Sequence, residues 1–96
     1  MPTSSGQFAT ANASRYLQQL CKHFAHKIEV SFDTHAGRCV LSSGVVVLAA
    51  DDQGLRAEIV SDSVEGLEQA QGVIDRHLER FAFREGFKAM VWTPAA

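Results

Sequence analysis

Two helical patterns separated by four strand-like segments constrain the fold of this chain more than any other feature. Residues 13–27 carry apolar side chains at three- and four-residue spacings, the pattern of a helix that buries one face. Residues 62–84 repeat this pattern and stop before Gly86, a residue that favours the end of a helix. The two apolar stripes consist of Tyr16, Leu17, Leu20, Cys21, Phe24 and Ile28, and of Leu67, Ala70, Ile74, Leu78 and Phe81.

Polar residues indicate where the helices begin and end. Asn12 precedes the first helix, and its side-chain oxygen is expected to accept a hydrogen bond from the first turn. Asp62 and Glu65 fit a capping box at the start of the second helix, with Asp in the place of Ser or Thr. His26 and Lys27 suit the carboxyl end of the first helix, where the helix dipole favours positive charge.

The chain between the helices alternates apolar and polar residues, which indicates strands with one buried face. Four strands are expected, over residues 28–33, 38–41, 45–50 and 55–60. Another strand is expected within residues 3–10, and a last one over residues 87–92, ended by Pro94. Because the turns between the four central strands are short, they favour an antiparallel meander.

The sequence therefore predicts one α+β domain over residues 1–96, with the order β-α-β-β-β-β-α and an optional final strand. Two helices pack on one face of an antiparallel sheet of four to six strands. Leu20, Phe24, Leu78 and Phe81 are expected in the core. Residues 45–50 are apolar on both faces, as in a strand covered on both sides. Since two helices cover one sheet face, the other face is expected to expose Val46 and Leu48, or their alternates, and to form a homodimer.

Composition excludes several classes of protein. The formal net charge of −2 argues against nucleic-acid binding, which usually needs a basic excess. The chain has no apolar run of the ~20 residues that span a bilayer, and residues 1–7 lack the features of a signal peptide. We therefore expect no membrane insertion and a cytoplasmic location. Cys21 and Cys39 have apolar neighbours and are expected to be buried thiols.

Both helical stretches also carry a family resemblance. Residues 12–27, NASRYLQQLCKHFAHK, and residues 75–85, DRHLERFAFRE, resemble the paired signatures of a bacterial family known as domain of unknown function 2218. The turns at Gly37, Gly44 and Asp51-Asp52 fit as well. The resemblance implies a TATA-binding-protein-like α+β fold, without any inference of DNA binding. It also implies an association with iron–siderophore uptake, since members are often encoded near such genes and some similar domains are joined to siderophore-interacting proteins. It supplies no catalytic residues.

Histidines on the two helices are the strongest candidates for a binding site. His23 and His26 are three residues apart on one helix, and His77 lies late on the other. If the helices lie side by side, His23 or His26 would approach His77, with Lys22 and Arg80 close to them. Such a site would hold an anionic ligand, for example a carboxylate-rich siderophore, or a metal ion or haem. No motif identifies a cofactor or a metal.

The competing interpretation is that these residues have no ligand. His23 and His26 would then lie on a solvated face, His77 would be a half-buried, hydrogen-bonded residue, and ion pairs with Asp75, Glu79 and Glu85 would account for the basic residues.

An enzyme is the weakest hypothesis. Asp51-Asp52 is a carboxylate pair, but it stands where a hairpin turn needs such residues. Neither a nucleophile elbow nor a glycine-rich phosphate loop is present. The first hypothesis is therefore a noncatalytic binding or accessory module linked to iron–siderophore metabolism, the second is a small metal- or haem-binding protein, and the third is a cryptic enzyme.

Overall fold

The computed structural model describes residues 2–95, and its elements follow the predicted order. The two helices are α1, Ala13–Phe24, and α2, Val64–Phe81, with a short 3-10 helix at Phe83–Glu85. The strands are β1 Thr3–Phe8, β2 Val30–Phe32, β3 Ala36–Leu41, β4 Gly44–Asp51, β5 Gly54–Val60 and β6 Val91–Ala95. The predicted α+β class and the existence of a final strand are thus confirmed, but this strand begins at Val91 rather than at residue 87.

The strands form a single antiparallel sheet in the order β2-β3-β4-β5-β1-β6. Strands β2 to β5 are neighbours in sequence and in space, which confirms the predicted meander. Strand β1 lies between β5 and β6, with Ser4 opposite Ile59 on one side and Pro94 on the other. The expectation that Pro94 ends the last strand is wrong, because β6 is an edge strand and one side of an edge strand needs no hydrogen-bond partner.

Both helices pack on the same face of the sheet, and the core lies between them and the sheet. In β4, Val46 and Leu48 are fully buried, whereas Val47 between them is 47% exposed. The other face is therefore open, and the side chains exposed there are the alternates of Val46 and Leu48. Because β4 has valine at outward as well as inward positions, its sequence pattern predicted a strand covered on both faces, although only one face is covered.

Three of the four predicted core positions in the helices are confirmed. Leu20 and Leu78 are fully buried, and Phe24 is 7% exposed. Phe81 is only half-buried and packs at the edge of the core, because it is the last residue of α2. Its replacement should therefore cost less than that of a fully buried leucine.

The helix ends differ locally from the prediction. Asn12 does precede α1, but its side chain does not cap the helix; it donates a hydrogen bond from Nδ2 to Glu85 Oε2 at 3.1 Å. Ser63, one residue beyond the expected Asp62, caps α2 by accepting a hydrogen bond from the Gly66 amide at 3.0 Å. Ser63 has the extended backbone that a cap residue adopts.

Glu85 joins the start of α1 to the segment after α2. Its carboxylate accepts hydrogen bonds from the Tyr16 hydroxyl, the Thr10 hydroxyl and the Asn12 amide. These donors lower the pKa of Glu85, because they stabilise its ionised form. The pairing spans about 70 residues of sequence, so no local pattern could indicate it.

Asp75 joins α2 to the final strand in a similar way. Its carboxylate accepts hydrogen bonds from the Met90 amide at 2.9 Å and from Trp92 Nε1 at 2.8 Å. Desolvation by burial nevertheless raises the pKa of Asp75. Hydrogen bonds of Asp75 and Glu85 thus hold both sides of the part of α2 that carries His77 and Arg80, since one residue precedes this part and the other follows it.

Candidate functional site

The two helices run past each other in opposite directions, and this brings two of the candidate histidines together. Tyr16, near the start of α1, contacts Glu85 beyond the end of α2. His23, near the end of α1, contacts His77 further back in α2, with 4.6 Å between the ring centroids. The predicted approach of His23 to His77 is therefore present in the structure.

Aromatic rings hold this histidine pair in place. The His77 ring packs edge-on against Phe24 at a centroid distance of 5.0 Å, and the His23 ring lies 6.3 Å from that of Phe81. His77 is half-buried, and its Nδ1 lies 2.7 Å from the Val73 carbonyl oxygen, four residues earlier in α2. Because a carbonyl oxygen only accepts, Nδ1 carries the proton and Nε2 is the nitrogen left for a ligand.

Positive groups surround His23. Its pKa lies below the ordinary value, first because packing against its neighbours removes water from the ring. The second cause is the positive charge of neighbouring groups, which opposes protonation of the ring: His77, Lys27, His26 and Arg80. His26 lies in the turn after α1, exposed to solvent.

Carboxylates do not neutralise this cluster. Asp75 binds Met90 and Trp92, and Glu85 binds Tyr16, Thr10 and Asn12. Over residues 2–95, the ion pairs within 4.0 Å are Arg38–Glu29 and Arg56–Asp51, both on the sheet side of the molecule. The predicted ion pairs between the helix arginines and Asp75, Glu79 or Glu85 are thus absent from this part of the chain.

The positions of two lysines differ from the prediction. Lys22 lines a shallow depression along α1 with Ser14, Arg15, Gln18 and Gln19, on a different side of the helix from His23. Lys27, to which the sequence assigned only a helix-end role, acts electrostatically on His23. Its position four residues after His23 was the available signal, since residues at this spacing share a helix face.

The remaining candidates show structural roles. Asp51 Oδ1 accepts hydrogen bonds from the Gln53 and Gly54 amides at 2.8 and 3.1 Å, so it stabilises the β4–β5 turn. Asp33 does the same for the His35 and Ala36 amides in the β2–β3 turn. Both carboxylates are therefore occupied by turn geometry of the kind that Asp commonly forms.

The histidine pair lacks a third donor. Across residues 2–95, no three or more His, Cys, Asp and Glu side chains are grouped closely enough to hold a metal ion.

Neither helix of the described chain combines the length and the apolar character needed to cross a membrane.

Comparison with known proteins identifies the family. A model of bacterial proteins described as "Uncharacterized protein conserved in bacteria (DUF2218)" matches residues 5–93. The structure is similar to the NMR structure of PA4090 from Pseudomonas aeruginosa, with a TM-score of 0.82 and 30% sequence identity over 99% of this chain and 98% of that one. The curated proteins give no match. With most of its length matched by the family model, the chain belongs to the DUF2218 family of bacterial proteins.

Proposed function

We propose that this chain is a noncatalytic binding module, and that it holds an anionic ligand where His23 and His77 meet. The observation that carries the proposal is the pair of imidazole rings at a centroid distance of 4.6 Å within a group of unneutralised positive side chains. Protonated imidazole and guanidinium groups donate strong hydrogen bonds to carboxylate oxygens. His23, His77 and Arg80 are the expected donors, Lys27 adds charge, and His26 lies in the neighbouring turn.

A carboxylate-rich siderophore fits this chemistry. Its ferric complex presents several anionic oxygens, which match a site with several cationic donors on two helices. The family resemblance implies an association with siderophore genes, and this association motivates the choice of ligand. The module would then act as an accessory that receives or retains such a ligand.

A metal ion or haem is the second candidate, and the same observations favour it less. Lys27 and Arg80 repel a free cation, and the histidine pair needs donors beyond those that residues 2–95 place beside it to complete a metal site. Two rings at this separation leave no space for a macrocycle between them. Metal analysis of protein purified without a histidine tag separates the candidates, since stoichiometric zinc or iron would favour the second.

The first test replaces the histidine pair. We expect the wild-type protein to bind a ferric carboxylate siderophore with Kd in the micromolar range or tighter. This Kd corresponds to a binding free energy of about −8 kcal/mol. The His23→Ala/His77→Ala variant should bind at least about tenfold more weakly, a loss of about 1.4 kcal/mol or more. Isothermal titration calorimetry measures both.

A matched control makes this test specific. His35 is exposed in the β2–β3 turn, where its ring contacts the Thr34 hydroxyl, so His35→Ala removes a histidine without touching the pair. This variant should bind like the wild type. His23→Ala alone covers the case in which loss of the half-buried His77 weakens the fold, because His23 is exposed. Equal binding by the wild type and the folded double variant would remove the site.

The open sheet face supports a proposal about assembly: we propose a homodimer. Val47, Val60 and Val91 expose 47%, 39% and 70% of their surfaces on this side, and Val45 lies opposite Val60. Arg38 and Glu58 flank Val47 on the two neighbouring strands. A two-fold axis along β4 would place Arg38 of one copy over Glu58 of the other, which makes the face complementary to itself.

Light scattering at about tens of micromolar protein tests the dimer. The wild type should show twice the mass of the chain, and Val47→Asp should be monomeric, because a charge at the centre of an apolar interface is costly. Val64→Asp is the control, since Val64 is 61% exposed at the start of α2, away from the sheet face. A monomeric wild type would contradict the proposal.

We propose a cytoplasmic location for the chain. Cys21 and Cys39 are close enough to react with each other, with 3.9 Å between their sulfurs, and a reducing compartment would keep such a pair as thiols.

A further inference from the structure

A pair of thiols lies between α1 and strand β3. Cys21 lies on the core side of α1 and Cys39 on the core side of β3, and both are fully buried. Their sulfurs are 3.9 Å apart. A disulfide places its sulfurs at about 2.05 Å, so each sulfur would need to move by roughly 1 Å.

Gly37 provides the space that this pair occupies. It lies two residues before Cys39 on β3 and faces the same side of the sheet. A Cβ atom at position 37 would stand 2.7 Å from Cys21 Sγ, closer than side-chain carbons approach. The absence of a side chain at Gly37 therefore lets Cys21 reach β3 beside Cys39.

We propose that Cys21 and Cys39 are an oxidation site, and that they form a reversible disulfide when the protein meets a peroxide. One of the two thiols attacks one oxygen of the peroxide as its thiolate, the O–O bond breaks, and that cysteine becomes a sulfenic acid while hydroxide leaves. The other thiol then loses its proton and attacks the sulfenic sulfur, and the sulfenic oxygen leaves as water. With hydrogen peroxide, two thiols and one peroxide give one disulfide and two waters, so the two electrons lost by sulfur reduce the peroxide.

The contact between the two sulfurs makes the second step possible. The sulfurs are 3.9 Å apart, so whichever cysteine is oxidised first, the remaining thiol lies beside its sulfur and can resolve the sulfenic acid.

Access to the pair depends on the edge of the sheet. Strand β2 is only three residues long, lies at the sheet edge and pairs with β3 through Val30 opposite Cys39. Short edge elements open more readily than the centre of a sheet. Oxidation should accordingly be limited by opening of β2, and low urea should accelerate it.

Mass spectrometry of the wild-type protein tests the proposal. After treatment with hydrogen peroxide, the intact mass should fall by two hydrogen atoms, a non-reducing digest should contain the Cys21 and Cys39 peptides linked, and a reductant should restore both thiols. Cys21→Ser and Cys39→Ser should give no link within the chain, and the remaining cysteine should oxidise further. The wild-type digest decides the question even if a variant does not fold.

Two results would overturn the inference. One is a wild-type protein that keeps both thiols after prolonged exposure to peroxide in low urea. The other is oxidation of the wild type to sulfinic or sulfonic acid, or to links between chains, without a Cys21–Cys39 link.

Discussion

Replacing Leu20 by alanine should lower the free energy of unfolding by about 2–5 kcal/mol. Leu20 lies on α1, is fully buried and belongs to the core cluster between the helices and the sheet. Truncation removes its buried methyl groups and leaves a cavity that the rigid sheet cannot close. Since domains of this size have total stabilities of about 5–15 kcal/mol, the change is a large fraction of the whole.

Urea unfolding followed by circular dichroism measures the loss. Arg15→Ala is the control, because Arg15 is an exposed residue of the same helix, and a surface change of this kind stays within about 0.5 kcal/mol. A Leu20→Ala protein with an unchanged unfolding midpoint would show that α1 does not pack as described.

Alanine at Gly54 should destabilise the protein by a comparable amount. Gly54 begins β5 with φ +155°, and a Cβ atom there would come no further than 3.0 Å from backbone atoms of Phe8 and Ala9. Backbone cannot turn aside as a flexible side chain does, so β1 and β5 must separate. Overpacking of this kind costs about 1–3 kcal/mol, and the strained φ adds a cost of similar size.

Gly86 supplies the matched control for this variant. Its φ is +73°, the left-handed region, but no heavy atom lies within 4 Å of the position of its missing Cβ. Gly86→Ala therefore carries the conformational cost without the clash, about 1–2 kcal/mol, because a Cβ atom in the left-handed region comes too close to the following carbonyl oxygen. Thermal unfolding should rank the wild type, Gly86→Ala and Gly54→Ala in falling order. Equal midpoints for the two variants would contradict the close approach of β1 to Gly54.

Regular patterns in the sequence predict the fold because they arise from local geometry. The 3.6-residue period of α1 and the alternation of β5, with Leu55, Ala57 and Ile59 inward, correspond directly to the buried faces. Contacts between distant residues produce the differences. Asn12 does not cap α1, because its side chain donates a hydrogen bond to Glu85, which lies more than 70 residues further along the chain. The place of a strand in the sheet also depends on distant residues. Pro94 was expected to end the last strand, but it lies within β6 because β6 is an edge strand.

The meeting of two candidate histidines was predictable from the sequence, whereas the arrangement of the lysines around them was not. Helix periodicity places His23 and His77 on surfaces that can meet, but it leaves the relative direction of the helices open. The antiparallel course of the helices, fixed by the Tyr16–Glu85 contact at one end, decides that His23 meets His77. Lys22 does not lie beside the pair, because it precedes His23 by one residue and is therefore rotated from it by about 100° around the helix axis.

The proposed anion site predicts that the pKa of His23 changes when an anion binds. In the free protein, desolvation and the charges of His77, Lys27, His26 and Arg80 depress this pKa. Without ligand, folding therefore disfavours protonated His23, so its contribution to stability is present above pH ~6.5 and is lost as pH falls through the depressed pKa. A bound anion neutralises those charges and should raise the pKa. By linkage, binding should strengthen as pH falls and weaken as pH rises through the pKa of His23.

The most direct test is an NMR titration of the histidine ring protons against pH, with and without the gallium(III) complex of a carboxylate siderophore, which is diamagnetic. The account predicts that the ligand raises the pKa of His23, shifts the ring signals of His23 and His77, and leaves those of His35 unchanged. A pKa of His23 that is the same with and without the complex, at concentrations up to about a millimolar, would contradict an anion site at this pair.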